Sequence, residues 1–437
     1  MKMGVVADDV TGSNDIGIMF AKSDYLTHVY SFKGNVPSFT APKNDLDAPD
    51  ILILDTNSRL DPPEVAYRKV FAATRELQQA GCRQFHNKTC SVFRGNIGAE
   101  FDAMLDALGL DFAVVVLGFP KNGRTTVDGI HHVHGKKLED SEFRRDPIHP
   151  MQRSDLVGIL QSQTKRKVAL VTHAVIDRGA TALRDEIQRM RTQCQYLILD
   201  VTDQSALVTI ARAVHDEPVL CGSSAIAEEL PAVWGPAPAH PQLINLPPAE
   251  GVGILVVGGS LMPQTAAQIE HLRRKEVPSF VLDTSRLFDA CECEAEVASL
   301  AESISASLRT GSDAIFHSPN DPHALEAANR AGLAHSVSKT EVSRRVSEAL
   351  AEVTARVLAT TGQNRLVVAG GETSAAVCAR LGVDGMRVWK EIQPGLPSCV
   401  SLNDPPRMLV LKSGSFGKPD FFERALEHLR ETIAASK

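Results

Sequence analysis

The chain has 437 residues, 43% of them hydrophobic and 23% charged, with a formal net charge of −7. That length exceeds one ordinary core and favours two domains of roughly 200 residues each. The acidic balance argues against a general nucleic-acid binder, and no apolar run reaches the ~20 residues that cross a bilayer.

The N-terminus enters a strand directly, with no basic segment followed by an apolar one, so a cytoplasmic protein is expected. The first strand, Gly4–Ala7, ends in Asp8 and Asp9, followed by Val10-Thr11-Gly12-Ser13-Asn14-Asp15. A short β-branched run with that ending reads as a buried parallel strand. Ligands of open α/β sheets bind beyond the carboxyl ends of the strands, where the two acids fall. One Asp can cap a helix starting near Ser13. A cap does not explain two acids with Thr11 and Asp15 beside them, and the pair suits base chemistry or a metal.

Strands follow at Ile51–Leu54, Phe112–Leu117, Val168–Val171, Tyr196–Leu199 and Val219–Cys221. Helical patterns lie at Pro63–Ala80, Ala99–Leu108, Ala180–Arg191 and Ser205–Val214. This alternation predicts a mostly parallel sheet flanked by helices. After the second strand comes Arg59, placed by the same carboxyl-end logic to face Asp9. A second patch, Lys88-Thr89-Cys90-Ser91-Val92-Phe93-Arg94-Gly95-Asn96, gathers two cations, two hydroxyls and an amide ahead of a helix beginning near Asn96. Such a patch suits a small anion. Gly123-Arg124-Thr125-Thr126 and the irregular Arg144–Pro150 segment are of the kind that shapes substrate sites. His131, His132 and His134 lack the further ligands of a zinc site, and the eight cysteines form no Cys-x-x-Cys pair, so free thiols are expected.

The Pro-rich stretch Pro231–Glu250 reads as a semi-rigid linker. The boundaries expected are residues 1–232, a linker over 233–250, and residues 251–437. In the second domain, strands are predicted at Gly253–Val257, Ser279–Leu282, Ala314–Phe316, Leu366–Ala369, Arg387–Trp389 and Met408–Leu411, with a helix over Pro263–Arg274. Glycine turns follow three of these strands: Gly258-Gly259-Ser260, Gly370-Gly371-Glu372-Thr373-Ser374 and Lys412-Ser413-Gly414-Ser415-Phe416-Gly417. A fourth, Pro394-Gly395-Leu396-Pro397, joins two strand-like runs. Glycine lets backbone N–H groups approach phosphate, and Gly370–Ser374 opens into the helix Ala375–Leu381. The set predicts a polyphosphate site that is neither a Walker A loop nor a G-x-G-x-x-G fingerprint.

Together these stretches resemble the four-carbon acid sugar kinases, a bacterial family that phosphorylates threonate, erythronate and 3-oxo-tetronate. ADDVTGSND at Ala7–Asp15, RGNIGAE at Arg94–Glu100, GRTT at Gly123–Thr126 and Asp146-Pro147 match in order, as do GGETS, EIQPGLP at Glu391–Pro397 and LKSGSFG at Leu411–Gly417. GSND is similar to the D-threonate branch, and the C-terminal motifs to the 3-oxo-tetronate branch. The resemblance implies two α/β domains with a ligand cleft between them, closing to exclude water. It places the acid at Asp9, Arg59, Lys88, Thr89, Cys90, Ser91 and Arg94, with Asp9 catalytic. ATP would meet Ser260, Gly370, Gly371, Glu372, Thr373, Gly395 and Gly414. Mg²⁺ would arrive with ATP, with Asp8 or Asp15 nearby and no protein ligand assigned. The family usually reads K-x-D-S-T where this chain has Lys88-Thr89-Cys90-Ser91-Val92. The expected reaction is D-threonate to 4-phospho-D-threonate, with D-erythronate or 3-oxo-tetronate as alternative acids. The rivals are a cytosolic acid sensor without turnover and a phosphatase, which would want Asp-x-Asp rather than adjacent acids. The expected partners are the acid and ATP, with no nucleic acid or membrane and a homodimer as the candidate assembly.

Overall fold

A computed structural model describes residues 1–34, 48–146, 148–240, 246, 251–320 and 322–434. The chain divides into two compact units, Met1–Gln242 and Leu243–Lys437. Most of the Pro-rich stretch beyond His240 lies outside the described residues, as does Pro147 of the Asp146-Pro147 pair.

The first unit is built on β1 (Met3–Ala7), β2 (Thr27–Ser31), β3 (Ile51–Asp55), β4 (Gln84–Lys88) and β5 (Ala113–Val116). A small antiparallel sheet follows, made of β6 (Arg124–Val127), β7 (Ile130–Val133) and β8 (Lys136–Lys137). The main sheet is completed by β9 (Val168–Val171), β10 (Tyr196–Leu199) and β11 (Val219–Gly222). Its order is β2-β3-β1-β4-β11-β5-β10-β9, parallel throughout. Parallel strands covered on both faces tolerate continuous apolar runs, and β1, β3, β5 and β10 are buried along their whole length.

Register makes the site. Ala7 aligns with Asp55 on one side and Lys88 on the other, and Lys88 aligns with Gly222. Four chain segments therefore leave the sheet at one edge, led by Asp8, Thr56, Thr89 and Ser223.

In the second unit the strands are β12 (Leu255–Gly258), β13 (Ser279–Val281), β14 (Ala314–His317), β15 (Arg365–Ala369), β16 (Gly385–Gln393), β17 (Leu396–Ser401) and β18 (Met408–Lys412). The order is β13-β14-β12-β15-β18-β17-β16, parallel through β18 and then antiparallel. Gly258 aligns with Ala369, and Ala369 with Lys412, so the three glycine turns also emerge at one edge.

Several elements differ from expectation. The helix after β1 starts at Val10 rather than Ser13, because Asp9 itself is the cap and its carboxylate accepts from the Gly12 N–H. The helix at the Gly370 turn runs Gly371–Arg380, so GGETS is its first turn rather than a loop before it. Gly370 makes the reversal at φ +119°, a conformation that favours glycine. Strand β4 was hidden by its polar sequence, Gln84-Phe85-His86-Asn87-Lys88. It is buried along its length, and two of its amides find partners there: Gln84 donates to the Glu217 carbonyl and Asn87 to that of Glu100. Pro231 is inside the helix Ala225–Trp234 rather than in a linker. Packing holds that last turn despite the missing N–H: Trp234 stacks on Phe20 at 5.7 Å and donates to the His215 carbonyl.

Candidate active site

At the carboxyl edge of the first sheet, Arg59 lies between the two acids. Its Nε and Nη2 donate to Asp8 Oδ2 and Oδ1, both at 2.7 Å, and Nη1 donates to Asp9 Oδ2. The other Asp9 oxygen accepts from Gly12 N at 2.5 Å and from Thr11 Oγ1 at 3.2 Å. Lys88 pairs with Asp15 at 3.3 Å, and Ser224 donates to the same Asp15 oxygen at 2.7 Å. Arg94 Nε donates to Cys90 Sγ at 3.3 Å and Nη1 to Asp146 at 2.6 Å. The cations read from the sequence thus all carry an acidic partner. The pocket is close to charge balance rather than a bare cationic patch.

This packing sets the charge states. Burial raises the Asp9 carboxyl, but Arg59, Lys88 and the Gly12 N–H outweigh it and hold Asp9 below the usual carboxylate range. Burial likewise pushes the Cys90 thiol up, and Arg94 and Arg59 bring it below its ordinary value. Two acids behind the site go the other way. Burial, then the charges of Asp9 and Asp8, push Asp55 up to about 7, and burial with Asp8 pushes Glu100 up to about 8. Ser58 donates to Glu100 at 2.7 Å, which opposes that rise without cancelling it.

Close to these residues in sequence are buried polar atoms with no protein partner. Both amide atoms of Asn14, Asp15 Oδ1 and Thr89 Oγ1 are buried and unpartnered.

In the second unit the glycine turns meet. A Cβ on Gly414 would lie 2.0 Å from Ser260 Oγ, and one on Gly259 would lie 1.9 Å from Thr373 Oγ1. Only glycine permits those approaches, and they bring Ser260, Gly370, Thr373 and Gly414 together. The helix opening at Gly371 has no side-chain cap, leaving its first N–H groups to a ligand. Glu372 is turned elsewhere: its carboxylate accepts from Ser343, on the helix Lys339–Thr361, at 2.5 Å. Gly395 sits in the β16–β17 turn, its N–H on Glu391 at 3.0 Å, and the neighbouring Gln393 accepts from Lys418.

Comparison with known proteins agrees with this division. A family model described as a sugar-binding N-terminal domain matches residues 3–230, and one described as a nucleotide-binding C-terminal domain matches residues 255–422. A 3-oxo-tetronate kinase of Cupriavidus necator is 34% identical over 98% of this chain and 97% of its own. The 3-oxo-tetronate kinase of Haemophilus influenzae is 31% identical over 97% and 98%. The chain belongs to the four-carbon acid sugar kinase family. A crystal structure of a Haemophilus influenzae protein superposes with a TM-score of 0.69 at 30% identity, covering 97% of this chain and 99% of that one.

For a four-carbon acid sugar kinase, several residues around the first site brace a loop, a role the sequence reading did not give them. Asn96 Nδ2 donates to the carbonyls of Ser58 and Asp61 at 3.1 and 2.8 Å, and His149 Nε2 to that of Arg59 at 3.1 Å. These contacts fix the loop that carries Arg59. Asp146 was visible only as half of a motif; its pairing with Arg94, 52 residues away, has no local signal. Asp8, expected near Mg²⁺, has both oxygens on Arg59 and does not fit as a metal ligand. Among the described residues one other group could hold a cation: Asp128, His173 and Asp200, within 4.8 Å of one another. Asp200 already accepts from the N–H groups of Asp128, Gly129 and His173, which makes it the anchor of a turn. No helix among the described residues is long and apolar enough to cross a membrane.

Proposed function

We propose that this kinase moves the γ-phosphoryl group of ATP to the terminal hydroxyl of a four-carbon sugar acid, bound in the first unit. The observation carrying this reading is the convergence of Asp9, Arg59, Lys88 and Arg94 at one sheet edge. Arg59 has five N–H donors and spends three on Asp8 and Asp9, so its outer N–H groups are left for the acid's carboxylate. Lys88 and Arg94 add charge beside it. Asp9 orients the attacking hydroxyl. Held low by its neighbours, it is a weak base, which suits phosphoryl transfer, where positioning and charge matter more than early proton removal. In the second unit, Ser260, the Gly370–Thr373 turn and Gly414 would hold the phosphates. Bound ATP supplies the phosphoryl group, and Mg²⁺ carried with it neutralises the phosphate oxygens.

The acid we favour is 3-oxo-tetronate, ahead of D-threonate and D-erythronate. The names of the relatives support it, and so does Cys90. A carboxylate at that position would accept from a substrate hydroxyl, whereas a thiol is a weak acceptor. A keto carbon offers no hydroxyl and needs no acceptor. Cys90→Asp is therefore expected to move the kcat/KM ranking toward D-threonate and D-erythronate, with KM for ATP within about twofold of the parent. An unchanged ranking over the three acids would place Cys90 outside the acid site.

A further inference from the structure

Lys412 closes β18 and is fully buried. Its Nζ shares its three N–H donors among four oxygens: Thr265 Oγ1 at 3.0 Å and the carbonyls of Ser413, Gly414 and Phe416 at 2.8, 3.0 and 3.1 Å. No carboxylate pairs with it among the described residues. Lys88, by contrast, has Asp15. A buried cation without a counter-charge is unfavourable by itself. Burial lowers the Lys412 ammonium to about 7, while the four oxygens favour its charged form.

The geometry has a consequence for the loop. A trans peptide points its N–H opposite to its carbonyl. Carbonyls of Ser413, Gly414 and Phe416 that turn in toward the ammonium therefore turn the N–H groups of Gly414, Ser415 and Gly417 away from it. Those N–H groups have no acceptor among the described residues. Successive unpaired N–H groups on one loop form an anion-binding concavity. Gly414 abuts Ser260, at the centre of the nucleotide cradle.

We propose that Lys412 is a positioning residue for the nucleotide's phosphates. Its ammonium holds the Ser413–Gly417 loop with carbonyls inward and N–H groups outward, and the bound phosphates supply the missing counter-charge across the loop. This rests on the assignment of the nucleotide to the second unit. Thr265 takes part: its hydroxyl accepts from Lys412 and donates to the Gly414 carbonyl at 3.0 Å.

The test is calorimetric titration of the full chain with ADP, reading affinity and stoichiometry separately. Lys412→Met keeps an unbranched side chain one atom shorter and removes the charge. It is expected to weaken ADP binding by about tenfold or more, at undiminished stoichiometry. Thr265→Val removes one acceptor and leaves the charge, and a loss of roughly threefold is expected. A purely structural role would reduce the folded fraction, hence the stoichiometry, and leave the affinity of the folded protein unchanged. Parental ADP affinity in folded Lys412→Met would overturn the proposal. Should that variant not fold, parental affinity in Thr265→Val would overturn it. A parent protein that binds no ADP would overturn the nucleotide assignment itself, and this inference with it.

Discussion

Asp9→Asn lowers kcat by about a hundredfold or more, the scale on which a group acting on the transferred proton and charge is felt. The expected damage is local. Asparagine keeps a carbonyl oxygen, so the cap on Gly12 N–H can survive, and Asp8 still grips Arg59 through two hydrogen bonds. What is lost is the negative charge and the acceptor facing Arg59 Nη1. An amide NH₂ turned toward a guanidinium offers a donor to a donor, so the hydroxyl of the acid loses its orientation as well as its proton acceptor. KM for ATP is expected to stay within about twofold, since the nucleotide is assigned to the second unit and Asp9 to the first. Steady-state kinetics on the two proteins decide the matter. Near-parental turnover would remove Asp9 from the mechanism.

Arg59→Met should be the most destabilising single change at this site. Arg59 lies 14% exposed between side chains of Asp8 and Asp9 that are 1% and 9% exposed. Removing one partner of a buried ion pair leaves an uncompensated charge and costs roughly 3–5 kcal/mol. The expected readout is a lower temperature for the first thermal transition. A second variant isolates the cause. Adding Asp8→Asn to Arg59→Met should recover part of the loss, because one buried carboxylate no longer stands unpaired. If the double variant is no more stable than Arg59→Met, the loss comes from packing of the arginine stem and not from the charges.

Much of this site was legible because chemistry was concentrated at strand ends. Asp8 and Asp9 directly follow an apolar strand and Arg59 comes four residues after another, and the carboxyl-end rule alone put them on one edge. The glycine turns were legible for the same reason, and the structure brings Ser260, Gly370, Thr373 and Gly414 into contact range. Hidden from the sequence were partners fixed by register and long-range packing. Lys88 leaves a strand whose polar residues mask its periodicity, and its partner Asp15 was expected near Mg²⁺ rather than on a lysine. Asp146 and His149 come from an irregular segment whose destination nothing local encodes. Lys412 read only as the first residue of a glycine turn. Only the inward carbonyls of the following loop give it a role. Glu372 went the other way: it sits inside a convincing motif, yet its carboxylate faces Ser343.

The central claim is phosphoryl transfer to a four-carbon acid, and the most direct measurement is ATP consumption by the full chain with Mg²⁺, acid by acid. The panel is 3-oxo-tetronate, D-threonate, D-erythronate and their enantiomers, read as ADP released and as phosphate ester formed. The account predicts ADP and ester in equal amounts with at least one of these acids, 3-oxo-tetronate first among them, and negligible ADP without acid. Binding of an acid with no ADP released by any member of the panel would contradict it and favour a sensor that binds without turnover.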